Sequence, residues 1–164
     1  MSTKFTMEHK FSKPVENVWK MYSDRTFFEK KYAELGYTNV QITDYSSSAK
    51  GFSITARYDA ANDAPMPDFA KKFMSSTVSV TQTDNWDAAS KTGNIKIDIK
   101  GVPAKVTAEM KLENVGKGSV NKMNWVISVG IPLIGGKLES VLAEDVKTKS
   151  PKDSAASEKL LKNY

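Results

Sequence analysis

The stretch Gly130-Ile131-Pro132-Leu133-Ile134-Gly135-Gly136-Lys137-Leu138-Glu139 decides the fold. It carries the chain out of a series of alternating strands and into its longest helical segment. Pro132 stiffens the exit, and the glycines at 135 and 136 let a helix start close to a sheet. A helix is expected to begin between Leu133 and Gly136 and to reach about Leu161. Leu138, Leu142 and Val146 fall at i, i+4 and i+8 on one face of it. Pro151 is expected to end or kink it near Lys149, because proline lacks the N–H that a helix interior needs. Ser150-Pro151-Lys152-Asp153 then reads as a new start, with Ser150 as cap and Asp153 at N3.

Before this join the period is two. Thr77 to Trp86 places Val78, Val80, Gln82, Asp84 and Trp86 on one face. Asn94 to Lys100 turns Ile95, Ile97 and Ile99 inward. Lys105 to Glu113 turns Val106, Ala108, Met110 and Leu112 inward, and the last strand adds Met123, Trp125, Ile127 and Val129. Gly101-Val102-Pro103 and Gly116-Lys117-Gly118 are the turns between them. Short strands with regular turn signals predict an antiparallel meander.

Nearer the N-terminus, Tyr37 to Tyr45 and Phe52 to Asp59 pair as a hairpin around Ser46–Gly51, with Phe52, Ile54, Ala56 and Tyr58 on one face. Ala60 to Met74 breaks the alternation, contains Pro65 and Pro67, and reads as a mobile insertion. Thr3 to Phe11 is a half-buried strand with Phe5, Met7, His9 and Phe11 on its apolar face. Two short helices follow. The first starts at Ser12-Lys13-Pro14 and carries Val15, Val18, Trp19 and Tyr22. The second is capped by Asp24, buries Phe28, Tyr32 and Leu35, and ends at Gly36.

These elements predict an α+β fold of one domain over residues 1–164. A curved antiparallel sheet of about seven strands surrounds a long C-terminal helix, with two short helices between the first and second strands. A sheet with one apolar face must cover it, and the terminal helix is the long element left to do so. One helix does not fill a strongly curved sheet, so a cavity is expected between them.

Composition narrows the chemistry. Of 164 residues, 24 are Lys or Arg and 19 are Asp or Glu, giving a net charge of +5. The basic residues are mostly dispersed lysines, not the clustered arginines of nucleic-acid readers, so no nucleic-acid partner is expected. The chain has no Cys and one His, so disulfides, thiolate metal sites and Cys nucleophiles are excluded. No metal and no cofactor are expected: EF-hand spacing is absent, and Gly135-Gly136 lacks any phosphate-loop fingerprint. No run approaches ~18 apolar residues, so no integral membrane segment is expected. The N-terminus lacks an apolar leader core, and a cytoplasmic location is the simplest reading.

Several inward residues are candidates for a site. His9 titrates near neutrality. As a lone histidine without a visible nucleophile or metal partner, it reads more simply as a core or rim residue hydrogen-bonded to backbone. Gln82 and Asp84 sit on a buried face and need partners, which can be a ligand, water or side chains of the terminal helix. An unpaired buried Asp84 must be wet, paired or raised in pKa. Tyr58, Val80, Trp86, Ile97, Met110, Met123 and Trp125 are inward apolar or aromatic groups. Leu138 and Leu142 face them from the helix. Core filling and a soft cavity wall are both open to them.

Three segments resemble a known group. They are Phe11-Ser12-Lys13-Pro14-Val15-Glu16-Asn17-Val18-Trp19, Asp84-Asn85-Trp86, and Ile131-Pro132-Leu133-Ile134-Gly135-Gly136-Lys137-Leu138-Glu139. With the order of elements, they resemble the helix-grip fold of the START and polyketide-cyclase-like (SRPBCC) superfamily. More narrowly, they resemble a bacterial family known only as a domain of unknown function. The resemblance implies a cavity that takes lipids, polyketides or other apolar small molecules, and it implies no settled activity. Pro151 departs from the unbroken helix of that pattern.

The sequence therefore leads to non-catalytic binding of an apolar or amphipathic small molecule. The expected wall is formed by His9, Tyr58, Val80, Gln82, Asp84, Trp86, Ile97, Met110, Met123, Trp125, Leu138 and Leu142. Entry is expected near Ala60–Met74 and the start of the terminal helix. Two alternatives stand beside it: a cyclase, aromatase or hydrolase using His9, Asp84 or Tyr58, and a basic interaction module for an anionic surface or RNA. The sequence specifies neither the ligand nor the oligomeric state.

Overall fold

A computed structural model describes residues 2–62 and 64–164. The chain opens with strand β1 (Thr3–Phe11), followed by helices α1 (Val15–Tyr22) and α2 (Arg25–Glu34). Strands β2 (Thr38–Ser48), β3 (Gly51–Ala61), β4 (Thr77–Asp87), β5 (Thr92–Ile99), β6 (Ala104–Val115) and β7 (Gly118–Val129) come next. Helix α3 (Gly135–Leu161) ends the order, and a 3₁₀ turn (Ala70–Lys72) lies between β3 and β4. The sheet runs β1-β7-β6-β5-β4-β3-β2 with every pair antiparallel. The first two strands thus occupy opposite edges, and α1 and α2 carry the chain from one edge to the other.

The hairpins are tighter than the sequence suggests. Ser48 pairs with Gly51, so the strands continue through the serines expected to form a loop. Val115 pairs with Gly118 across Gly116-Lys117, and Gly116 adopts the left-handed φ of +58° that a two-residue hairpin requires.

Register aligns residues of different strands into rows across the sheet. One row reads Ile54, Asp84, Ile95, Ala108, Trp125, Phe5, and the next reads Phe52, Trp86, Gly93, Met110, Met123, Met7. Alternation puts whole rows on one face. These rows form the inner face, buried apart from the half-buried Phe5, Met7 and Gly93. Helix α1 buries Val15, Val18, Met21 and Tyr22, and α2 buries Phe27, Phe28, Lys31 and Tyr32. Asp24 accepts from the Thr26 N–H at 2.9 Å and caps α2 as expected.

The join at 130–139 works through two contacts. A side chain at Gly135 would place its Cβ 2.6 Å from the Val129 carbonyl oxygen, so only glycine permits this approach of α3 to β7. Glu139, buried in the first turns of α3, accepts from the Val129 N–H at 3.1 Å and from the Thr3 hydroxyl at 3.0 Å. One carboxylate thereby ties the helix to both β7 and β1.

Helix α3 does not end near Lys149. It continues through Pro151 to Leu161. Pro151 lies on the exposed side, and buried Leu138 and Leu142 before it and Leu160 and Leu161 after it hold both halves on the core. Packing on both flanks offsets the hydrogen bond that proline cannot make. Ser150 and Asp153, expected to restart a helix, instead turn inward and bond to other elements. The insertion is anchored at its base. Lys149 Nζ donates to the Ala61 carbonyl at 2.9 Å, the Ala64 N–H donates to Asp145 at 3.5 Å, and Ala70 and Met74 are buried.

Candidate ligand cavity

Between the sheet and the three helices lies a cavity of about 150 Å³. An apolar cavity of that order accommodates one benzene-sized molecule. Every site residue named from the sequence lines it except Leu138. Leu138 is fully buried and belongs to the tight contact around Gly135 and Glu139. The cavity wall takes up α3 a turn later, at Leu142, and follows one face through Asp145, Val146, Lys149, Ser150 and Asp153. The helix start is too close to the sheet to leave room above it.

One end of the cavity is polar. Tyr58 Oη donates to Gln82 Oε1 at 2.7 Å, and Gln82 Nε2 donates to Asp84 Oδ1 at 2.9 Å. The Tyr58 ring stacks on Tyr37 at 4.5 Å and 6° and lies 4.9 Å from Tyr32. Asp84 is only 6% exposed. Burial pushes its carboxyl up to about 6, against the opposing influence of the Lys31 ammonium and the Gln82 amide.

Beside it, α2 and α3 meet β1 in a charged group in which Lys31 and His9 are buried and Asp153 is half-buried. Lys31, 7% exposed, lies 3.4 Å from Asp153 and within 5.3–5.6 Å of the ring centres of Phe27, Phe28 and Tyr32. Contact with rings and one carboxylate compensates a buried ammonium for lost water. His9 Nε2 bonds Ser150 Oγ at 2.9 Å, and Nδ1 faces Asp153 at 3.8 Å. Burial lowers the His9 pKa, and Asp153 only partly opposes that. The imidazole is therefore neutral at pH 7. Its partners are the Ser150 and Asp153 side chains of α3, where the sequence reading expected backbone.

Two polar atoms on the cavity wall have no hydrogen-bond partner among the described residues. Trp125, 6% exposed, stacks on Phe5 at 6.2 Å and 7°, and its Nε1–H has no acceptor. Asn121, 1% exposed, donates to Tyr22 Oη at 3.2 Å and approaches Met110 Sδ at 3.6 Å, while its Oδ1 has no donor. Both residues line the cavity.

Sequence reasoning missed Lys31, Asn121, Asp145, Lys149, Ser150 and Asp153. Signals for them exist. Lys31 sits four and three residues after Phe27 and Phe28 and just before Tyr32, on the buried stripe of α2. Asn121 has the parity of Met123 and Trp125. The α3 set continues the Leu142 face at helical spacing, which becomes visible once Pro151 is read as tolerated. Among the described residues, no cluster of three or more His, Asp or Glu side chains is arranged to hold a metal ion, and no helix is long and apolar enough to cross a membrane.

A seven-stranded antiparallel sheet wrapped on one long helix, with a cavity between them, is the helix-grip fold. Solved structures with this fold superpose over almost the whole chain. The Zhui aromatase/cyclase from a Streptomyces species matches with a TM-score of 0.70 at 11% identity, covering 99% of this chain and 94% of that one. The protein TTHA0849 from Thermus thermophilus matches at 0.68 and 13% identity, covering 97% of each. A START superfamily protein from Mycobacterium smegmatis matches at 0.61 and 11%, covering 97% and 98%. At such identities the likeness shows the fold alone. Among curated proteins nothing matches. The chain belongs to the family described as "Protein of unknown function (DUF2505)", whose model matches residues 6–161.

Proposed function

We propose that this protein binds, without transforming it, a small molecule with a ring-sized or short-chain apolar body and polar groups at its ends. The observation that carries the reading is the pair of buried atoms on the cavity wall that have no partner among the described residues, Trp125 Nε1–H and Asn121 Oδ1. Leaving a buried polar group unsatisfied costs about 1–3 kcal/mol. A ligand with an acceptor for one and a donor for the other removes that cost. The fold's START relatives agree with a binding role, and the cavity size favours a ligand smaller than a long acyl chain. The proposed wall is the sequence-named set without Leu138, together with Lys31, Asn121 and the inward face of α3. Entry is proposed where Ala60 and Asn62 line the cavity with Asp145 and Lys149, at the base of the insertion.

Native mass spectrometry of freshly purified protein tests this, followed by thermal-shift screening with fatty acids, isoprenoids and single-ring aromatics. A retained small molecule, or a stabilising shift that saturates with concentration, is the expected result. Neither in a broad screen would contradict it. A second reading has one specific observation in its favour. Asp84, near pKa 6 and bonded through Gln82 to Tyr58, is placed to exchange a proton near neutrality, as a cyclase or aromatase needs. Recovery of the bound molecule unchanged after long incubation decides against it.

A further inference from the structure

The charges facing the cavity do not balance. Among the described residues of its wall, Lys31 and Lys149 bring two ammonium groups, while Asp84, Asp145 and Asp153 bring three carboxylates. Lys31 lies 3.4 Å from Asp153, and Lys149 lies 2.5 Å from Asp145. Asp84 forms no ion pair with a described residue, and its hydrogen bond comes from a neutral amide, Gln82 Nε2 at 2.9 Å. His9 does not make up the difference, because burial keeps it neutral at pH 7. Burial also raises Tyr22 and Tyr58, so their phenols stay uncharged; Tyr37 is the third phenol of the wall.

The unpartnered Trp125 Nε1–H gives this imbalance a direction. Asp84 and Trp125 stand in one row of the sheet with Ile95 and Ala108 between them. Three strand spacings separate the two backbones by ~14–15 Å along the curved sheet. Of the two residues between them in the row, Ile95 lines the cavity.

We propose that the ligand of this cavity is a small organic cation: a primary or secondary amine on a ring-sized apolar body, with its ammonium on the Asp84 carboxylate. This rests on the reading of the cavity as a ligand site. A neutral donor satisfies Asp84's hydrogen bond, and the Lys31 ammonium, held 3.4 Å from Asp153, compensates the Asp84 charge only in part. An ammonium meets both needs, and the low-dielectric surroundings strengthen the attraction several-fold over water. An anion would face the surplus carboxylate and be excluded. The ionised form of Asp84 predominates above about pH 6.

Three compounds of matched shape test the assignment: 2-phenylethylamine, 2-phenylethanol and 3-phenylpropionate. Each is titrated calorimetrically at pH 7.5 into the full chain and into Asp84→Asn. The amine is expected to bind ~tenfold more tightly than the alcohol, in line with charged against neutral hydrogen bonds, and the carboxylate most weakly. In Asp84→Asn the preference for the amine should disappear. If the unmutated chain binds the alcohol as tightly as the amine, the cation assignment is overturned while the cavity reading stands. An amine preference that survives in Asp84→Asn also overturns it. If none of the three binds but a larger apolar compound from the wider screen does, only the cation assignment falls; if nothing binds, both fall. The ratio measured on the unmutated chain is decisive by itself should the variant fold poorly.

Discussion

Asp84→Asn should stabilise the protein at pH 7.5 by about 2–3 kcal/mol and by only a few tenths near pH 4, the range set by a shift of about two pKa units. The folded-state pKa is raised from 3.8 to about 6, and burial is the leading cause. A raised carboxylate pKa means the folded state holds its proton where the unfolded state has lost it. The native chain therefore loses stability as pH rises through the window from about 4 to 6, and stays lower above it. Asparagine keeps the acceptor for Gln82 Nε2 and has no charge to desolvate. Urea unfolding of both proteins at the two pH values measures the effect. A variant less stable than the parent at pH 7.5, or a difference independent of pH, would show that Asp84 is compensated in the folded state. A charged residue kept in a core at a cost to stability is typical of a residue retained for binding.

Trp125→Ala should lower stability by ~3–5 kcal/mol, as large-to-small changes in packed cores do. The indole is buried, stacked on Phe5 and set between Met123 and Ile127 on the inner face. Trp125→Phe should cost less than about 1 kcal/mol, because it keeps the ring on Phe5 and removes a donor that has no acceptor. Midpoints in urea at unchanged slope check both. A loss under about 1 kcal/mol for the alanine variant would mean that the β7 face is not part of a packed wall.

The fold was legible because its main signals are periodicities. Alternation in β4 to β7 and the glycine-rich join at 130–139 each admit few structures. Pro151 was misread because local propensity argues for a break, while the contacts that hold α3 on either side of it are made with distant parts of the chain. The apolar wall was legible for the same reason as the strands, since parity puts Val80, Ile97, Met110 and Met123 on one face. Leu138 shared the helical stripe with Leu142, but distance from the sheet varies along α3 in a way that a stripe does not encode. The polar side of the cavity was mostly hidden. Asp84 and Gln82 stood out as polar residues on an apolar strand face. Lys31 and Asp153 did not, because charged residues on helices are ordinarily solvated, and only the packing of α2 on α3 brings these two together and buries Lys31.

The central claim is that a small molecule occupies the space beside Trp125. The indole N–H resonances of the three tryptophans test it most directly. Trp19 lies outside the cavity wall, whereas Trp86 and Trp125 line it. With the signals assigned by single Trp→Phe variants, titration with a stabilising compound that carries a hydrogen-bond acceptor should move the Trp125 resonance downfield as its N–H gains that acceptor. Trp86 should shift less, and Trp19 should stay in place. A Trp125 signal unmoved by every stabilising compound, with changes confined to Trp19 or to surface amides, would contradict binding in the cavity.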